Sequence, residues 1–228
     1  FETGLLSDGW SGAQWIKATQ INKNSKTNPE DKKQTKARML LEMDVTLTSG
    51  NASVLFGARD ASNVFMWSVN TLDNEKEPLI RRHIYDRGRL QSSDTPIGKF
   101  FTKSDLLNKE HHLAIEAKDG VVKTYIDKVL VDTYTDTDSK LSNGYIGFRA
   151  FRGNNTNETA MFDNIVLTEY EQKGDKEEAK VVLKEDFEKP QSAFEGGEIV
   201  SVGGNRKLNM VSGSGDYRVL QVDMTHVP

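Results

Sequence analysis

Cysteine is absent from the 228-residue sequence, and this absence excludes several kinds of site at once. Disulfides, thiolate nucleophiles and cysteine-ligated zinc all require it. Long apolar runs are also missing: no stretch approaches the roughly eighteen residues that cross a bilayer, so we expect no membrane span. The sequence therefore offers mainly carboxylates, amides, hydroxyls and aromatic rings for any function.

An excess of positive charge is lacking as well. The chain has 30 Lys and Arg against 34 Asp and Glu, which gives a formal net charge of -4. Such a chain has no basic field to hold a phosphate backbone, so we expect neither nucleic acid nor an anionic membrane as a partner.

Short stretches with β-strand patterning are abundant. In residues 39–48, Leu41, Met43, Val45 and Leu47 alternate with acids and threonines, and this period of two indicates a half-buried strand. The other predicted strands are rich in β-branched and aromatic residues and are separated by Gly, Asn and Asp turns. They span residues 53–59, 64–70, 79–85, 112–118, 121–126, 129–134, 145–151 and 160–167.

Many short strands at close spacing predict an all-β fold, an antiparallel sandwich of two packed sheets. A helical pattern occurs only at 103–109 (KSDLLNK), where a single turn is expected. The segment 171–180 (EQKGDKEEAK) is charged and poor in apolar residues, which predicts an exposed linker or a mobile loop.

Residues 181–228 form a predicted β-rich tail. It is too short for an independent core, so it either packs back on the sandwich or returns into a second one. Its expected strands lie at 181–187, 198–202, 207–211 and 217–222.

Three stretches together resemble the concanavalin A-like or laminin-G-like jelly roll. They are residues 37–70, residues 110–134, and NGYIGFRAF followed by AMFDNIVL. The resemblance implies a jelly-roll sandwich over residues 25–170. Strands of the form F-D-N-I recur in that superfamily, so Asp163 and Asn164 are interpreted as a fold signature, an Asx-type bonding group where the last strand leaves the sheet.

The two ends of the chain resemble a narrower family. SDGWSGAQWI (7–16) and RVLQVDMTHVP (218–228) are similar to the region that precedes the catalytic barrel in bacterial α-L-rhamnosidases. This resemblance implies a non-catalytic module of a larger glycosidase, with residues 1–24 packing against the tail. It also implies other domains of the same polypeptide and a glycan or plant-type polysaccharide as partners, and an extracellular or periplasmic location.

One turn departs from the laminin-G-like pattern. Where such modules often carry Asp-Gly after Tyr-Ile, this chain has Asp127-Lys128. Lysine lacks glycine's easy access to positive φ, so the sequence leaves the turn type open.

No catalytic set can be selected from the sequence. Glu42 and Asp44 share one face of a strand and Glu116 lies mid-strand, but each fits the solvated face of a half-buried sheet. The alternative is a small concanavalin A-like glycoside hydrolase acting on a polysaccharide. Such an enzyme is expected to carry an acidic strand like Glu-x-Asp-x-x-Glu, whose third acid is replaced here by Leu47.

The sequence gives equally little support for a metal site. Asp60 with Asn63, or Asn154 with Asn157, could offer oxygen ligands to a structural calcium, but no EF-hand spacing supports this. The adjacent histidines point to opposite faces of a strand and cannot chelate one ion together. We predict no metal and no cofactor. The four histidines are His83, His111, His112 and His226.

A sugar site joins aromatic faces with planar polar groups, and strand alternation selects candidates for it. If Phe65, Trp67 and Val69 face the core, their alternates face outward. The resulting outer face could be a shallow polar groove or simply a solvated surface with scattered ion pairs. The candidate glycan-binding residues are Arg59, Arg81, His83, Tyr85, Tyr145 and Arg149. Trp10 and Trp15 are expected to pack against the tail instead.

Overall fold

The computed structural model describes residues 37–221 except positions 61, 73–74, 139, 154–155, 174, 191 and 212–214. These residues form two eight-stranded antiparallel sheets. The predicted all-β fold, an antiparallel two-sheet sandwich of the jelly-roll type with extra strands from the tail, is confirmed. The predicted segment 1–24, with Trp10 and Trp15, lies outside the described residues.

The first sheet is built around the long strands β1 and β11. From edge to edge it contains β14 (Glu198–Val202), β15 (Asn205–Val211), β11 (Thr159–Lys173), β1 (Met39–Ser49), β6 (Glu110–Lys118), β7 (Val121–Ile126) and β8 (Val129–Thr135), and β12 (Lys176–Glu185) also pairs with β11.

The second sheet is a meander completed by strands from later in the chain. In spatial order it contains β13 (Phe194–Glu195), β16 (Gly215–Gln221), β9 (Tyr145–Gly153), β2 (Asn51–Asp60), β3 (Asn63–Asn70), β4 (Leu79–Asp86) and β5 (Arg89–Pro96), and β10 (Thr156–Asn157) pairs with β9.

The core lies between the sheets, where each strand presents its apolar alternates. In β1 every second residue from Met39 to Leu47 is buried, as the period of two predicts. Aromatic rings join the sheets: Phe148 of β9 stacks on Phe162 of β11, with ring centroids 4.1 Å apart. These contacts fix the sheets face to face.

One short helix is present, α1 (Lys103–Leu106), inside the predicted helical turn. Thr102 caps it: its hydroxyl accepts from the Asp105 backbone N–H, and the Asp105 carboxylate accepts from the Thr102 N–H in return. Among the described residues, no helix has the length and apolar character needed to cross a membrane.

Residues 171–173 and 176–180 form strands, in place of the linker or mobile loop that their composition predicts. They are the outer ends of β11 and β12, where Lys173 lies opposite Lys176. Some of the charges of this segment form ion pairs: Lys173 contacts Glu178 at 2.6 Å, and Glu177 lies 2.8 Å from Lys118. Backbone pairing to β11 therefore continues through a segment with no apolar face.

The tail beyond residue 180 extends the existing sandwich. It supplies β14, β15 and half of β12 to the first sheet, and β13 and β16 to the second. Phe194 of the tail packs against Phe148 with ring centroids 5.2 Å apart. The described tail thus shares the main core.

Asp163 and Asn164 hold a β-bulge. Asn164 has a φ of 50°, and the register between β1 and β11 shifts at this point. The Asp163 carboxylate accepts from the Asn164 backbone N–H at 2.7 Å and from the Asn205 side chain at 2.6 Å, and burial raises its pKa. The Asn164 amide donates to Asp44 at 2.8 Å. The pair is structural, as the family resemblance implies, but it lies within β11 rather than where the strand leaves the sheet.

The turn between β7 and β8 places both central residues in the left-handed region, at φ values of 50° for Asp127 and 69° for Lys128. This is the backbone of a type I′ turn. The Asp127 carboxylate anchors it by accepting from the His112 backbone N–H at 2.9 Å and lying 2.7 Å from Nδ1 of His111. The Lys128 side chain makes no hydrogen bond or ion pair with a described residue that would hold its positive φ.

We expect Lys128→Gly to stabilise the protein by about 0.5–1 kcal/mol, because glycine removes the steric cost of a positive φ. Urea unfolding measures the change. Lys123→Gly, the same substitution inside β7, is the matched control and should destabilise by a similar amount. A lower urea midpoint for Lys128→Gly would contradict the prediction.

Candidate functional site

Four of the six predicted glycan-binding residues lie on the outer face of the second sheet. Arg149 pairs with Ser53, Ser53 with Ser68, and Ser68 with Arg81, which makes one polar row across four strands. His83 and Tyr85 lie farther along β4 on the same face, opposite Met66 and Val64. Strand alternation thus assigned the faces of this sheet correctly.

The two arginines of this face are already paired. Arg81 donates to both carboxylate oxygens of Asp94, at 3.0 and 2.9 Å, and to Glu75 at 2.8 Å. The hydrogen bond to Asp94, followed by that to Glu75, raises its pKa. Arg149 lies 3.4 Å from Glu158. Both guanidinium groups are committed to intramolecular contacts.

The same face is not the exposed groove that was predicted, because its centre is buried. Tyr85 is 3% exposed and belongs to a small apolar cluster, and His83 is also buried. Strands β2 and β3 carry apolar residues on both faces, a pattern typical of strands that are covered on both sides. The remaining members of the cluster are Leu55, Ala58, Val64 and Met66.

The other two predicted residues, Arg59 and Tyr145, are exposed and lie at one end of the sandwich. Two glycines bring them together. A Cβ on Gly57, whose φ is 58°, would come within 2.4 Å of Leu141, and a Cβ on Gly144 would come within 2.7 Å of the Ala58 carbonyl oxygen. Glycine at both positions lets the segment before β9 pass against the end of β2.

Two adjoining depressions at this end share Arg59, and together we call them the end cleft. One has a volume of about 640 Å³, within the usual range for small-molecule sites. It is lined by Arg59, Asp60, Asn63, Asp86, Arg87, Asp138 and Lys140. The other includes Arg59, Asn143, Gly144, Tyr145, Leu167 and Glu169.

Hydrogen bonds hold the loops of the end cleft in place. Asp60 accepts from the Ser62 backbone N–H at 2.8 Å and from the Asn63 side chain at 2.8 Å. The side-chain amide oxygen of Asn63 in turn accepts from the Arg87 backbone N–H at 3.1 Å. This hydrogen bond links the β2–β3 turn to the β4–β5 turn. The carboxylate of Asp60 therefore helps to hold the turn between β2 and β3.

Lys140 lines the cleft beside the two turns. Its ammonium lies 3.0 Å from Asp138 and 3.2 Å from Asp86. The contact with Asp138, followed by that with Asp86, raises the pKa of Lys140. By contrast, Arg59 and Arg87 form no ion pair with any residue that the structure describes.

Most residues of the end cleft were missed as site residues, although a signal for them exists. In an antiparallel meander the first and third turns lie at the same end. The turns after β2 and β4 obey this rule, which brings the polar residues near 60 and 87 together. The connection between β8 and β9, which contains residues 136–144, is brought to the same end only by the pairing of β9 with β2.

The acidic candidates lie elsewhere, on the outer face of the first sheet. His112 contacts Asp44 at 3.1 Å and Glu42 at 3.5 Å, while Glu116 accepts from the Tyr125 hydroxyl at 3.3 Å. The adjacent histidine, His111, contacts Asp127 and not this group. No three His, Asp or Glu side chains within the described ranges are placed to hold one metal ion.

No protein-family model matches the sequence, and no curated protein is significantly similar to it. Solved structures with a similar fold include the carbohydrate-binding module CBM66 from Bacillus subtilis, with a TM-score of 0.43 and 24% identity over 57% of this chain and 74% of that one. CG-16, a homodimeric agglutinin from chicken liver, has a TM-score of 0.41 and 9% identity over 67% and 92%. A Bacillus licheniformis beta-glucanase has a TM-score of 0.34 and 18% identity over 49% and 50%. None of the three is a rhamnosidase, and likeness at this level concerns only the fold.

Proposed function

We propose that this β-sandwich is a non-catalytic glycan-binding module and that it binds sugar in the end cleft. The observation that carries the proposal is an exposed aromatic ring beside planar polar side chains. Tyr145 is 38% exposed, and the depression it lines also contains Arg59 and Asn143. Rings of this kind stack on the C–H faces of sugars, while guanidinium and amide groups bond neighbouring hydroxyls.

The end cleft suits an oligosaccharide better than a small apolar ligand. It supplies donors from Arg59 and Arg87 and acceptors from Asp138 and the Asn143 carbonyl, so hydroxyl groups can be bonded in both directions. Its walls are hairpin turns held by hydrogen bonds to one another. A site whose shape exists before binding loses less entropy when the ligand enters.

The wider setting is part of the same proposal. We propose that the module belongs to a larger carbohydrate-active enzyme of the α-L-rhamnosidase type, acts beside its other domains on a plant-type polysaccharide, and works in an extracellular or periplasmic space. The resemblance of residues 7–16 and 218–228 supports this. A native reading frame that encodes a helical catalytic barrel after these residues would agree with it, and one that encodes no glycosidase would not.

We expect Tyr145→Ala to weaken binding of the best ligand in a panel of plant oligosaccharides by about 3- to 10-fold, the effect of losing a stacking contact of about 0.5–1.5 kcal/mol. Isothermal titration calorimetry measures the affinity. Tyr145→Phe retains the ring and should bind almost as well as the original protein.

The matched control is Tyr125→Ala, on the outer face of the first sheet, where the hydroxyl bonds Glu116. This variant should bind the same oligosaccharide with unchanged affinity. Equal affinities for Tyr145→Ala and the original protein would place the sugar elsewhere, and a folded protein that binds no member of the panel would reject the proposed function.

A further inference from the structure

We propose that the end cleft selects acidic glycans and holds a carboxylate or sulfate group between Arg59 and Arg87. This inference rests on the proposed function and adds the chemical class of the ligand. It follows from which charged groups of the cleft are paired with each other and which have no charged partner among the described residues.

The carboxylates around Arg59 and Arg87 already contact groups other than these two arginines. Asp60 is bonded by the Asn63 amide and the Ser62 backbone N–H, both at 2.8 Å. Asp86 and Asp138 share the ammonium of Lys140 at 3.2 and 3.0 Å. The acids of this depression therefore hold its loops together through part of their acceptor capacity.

The two arginines differ from these groups. Their side chains line the depression, and neither forms an ion pair with a described residue. A guanidinium group presents several N–H donors in a planar fork that matches the two oxygens of a carboxylate or sulfate. Among the described residues, the two guanidinium groups are thus the basic groups of the depression without an acidic partner, and a ligand carboxylate or sulfate would supply one.

The net field of the depression does not attract anions from a distance. Three aspartates face three basic residues, so the formal charges balance. Selectivity must come from close contact with the two guanidinium groups. Because Arg59 and Arg87 are exposed, salt should screen that contact and weaken binding.

The two ends of the cleft should also differ in the charge of the ligand group that they accept. Glu169 lines the depression that contains Tyr145 and makes no ion pair with a described residue, so an anionic group at that end would be repelled. The acidic group of a ligand is therefore expected near Arg87, with a neutral ring on Tyr145. Arg59, which lines both depressions, lies between these two positions.

Two matched pairs of probes test the inference: oligogalacturonate against its methyl ester, and a sulfated galactan oligosaccharide against its desulfated form. In calorimetry at low salt, the acidic member of at least one pair should bind about 10-fold or more tightly than its neutral partner. Raising the salt concentration to 0.5 M should remove most of that difference. Inorganic sulfate serves as a probe for a simple anion site.

Two charge-neutralising variants of cleft arginines and one control test where the acidic group of the ligand binds. Arg87→Gln should weaken the acidic probe about 5- to 10-fold and the neutral probe less than 2-fold. Arg89→Gln is the matched control, since Arg89 is also exposed, lies two residues away and does not line the cleft. It should leave both affinities unchanged, and Arg59→Gln should resemble Arg87→Gln.

The outcomes separate this inference from the function it rests on. Neutral glycans that bind as tightly as acidic ones, with the loss confined to Tyr145→Ala, would overturn acid selectivity and retain the glycan-binding module. Equal losses from Arg87→Gln and Arg89→Gln would also overturn it. Binding of sulfate without any glycan would overturn both, as would the absence of all binding.

Discussion

Asp132→Ala is expected to destabilise the protein by about 3–5 kcal/mol, because it leaves a guanidinium group buried between the sheets without its counter-charge. Arg82 of β4 points inward and lies 3.4 Å from Asp132 of β8, with side chains 12% and 1% exposed. The Arg82 guanidinium also stacks over Tyr134, 5.4 Å from the ring centroid.

Chemical denaturation measures this change. The control is Asp138→Ala, which removes an aspartate that is 65% exposed and paired with Lys140, and it should cost less than about 1 kcal/mol. Replacing both Arg82 and Asp132 with leucine should recover most of the loss, since Nε of Arg82 and one oxygen of Asp132 have no hydrogen-bond partner among the described residues. A cost below 1 kcal/mol for Asp132→Ala would show that the pair is hydrated.

Phe148→Ala is expected to have a similar effect, a loss of about 3–5 kcal/mol. The Phe148 ring is fully buried, stacks on Phe162 of the first sheet at 4.1 Å and contacts Phe194 of the tail at 5.2 Å. Its removal leaves a cavity at a point where two sheets and the tail meet. The surrounding strands are held by their ladders and can close around that cavity only in part.

The same unfolding experiment on Phe100→Ala supplies the comparison. Phe100 is 40% exposed, so this identical substitution should cost less than about 1 kcal/mol. Thermal unfolding of Phe148→Ala should remain a single transition at a lower temperature. If the two variants lost equal stability, Phe148 would not be the packing centre that its contacts indicate.

Strands with one apolar face could be predicted from the sequence, while strands without one could not. The alternation in β1 identified its boundaries and its buried face. Strand β5 has the sequence RLQSSDTP, is exposed along nearly all its length and carries no alternation, so no strand was predicted there. The outer half of β12 was assigned to a linker for the same reason. Both are strands because a neighbour supplies the hydrogen bonds, and that neighbour is not visible in local patterning.

The site was predictable only in part. Alternation assigned Arg81, His83, Tyr85 and Arg149 to one face, but the burial of that face depends on tertiary packing. Arg59 and Tyr145 were selected as members of that face, yet they lie at the end of the sandwich. The other residues of the end cleft come from connections far apart in sequence, and their convergence is a consequence of strand order.

The distribution of the tail over both sheets also decides where the chain can be divided. Strand β15 borders β11 in the first sheet, and β16 borders β9 in the second. Cutting the gene after residue 170, at the end of the family resemblance, would leave unpaired edges on both layers and would remove Phe187 and Phe194 from the core. We therefore expect the described strands between residues 37 and 221 to unfold as one cooperative unit, and a chain ending at residue 170 to expose open strand edges that favour aggregation.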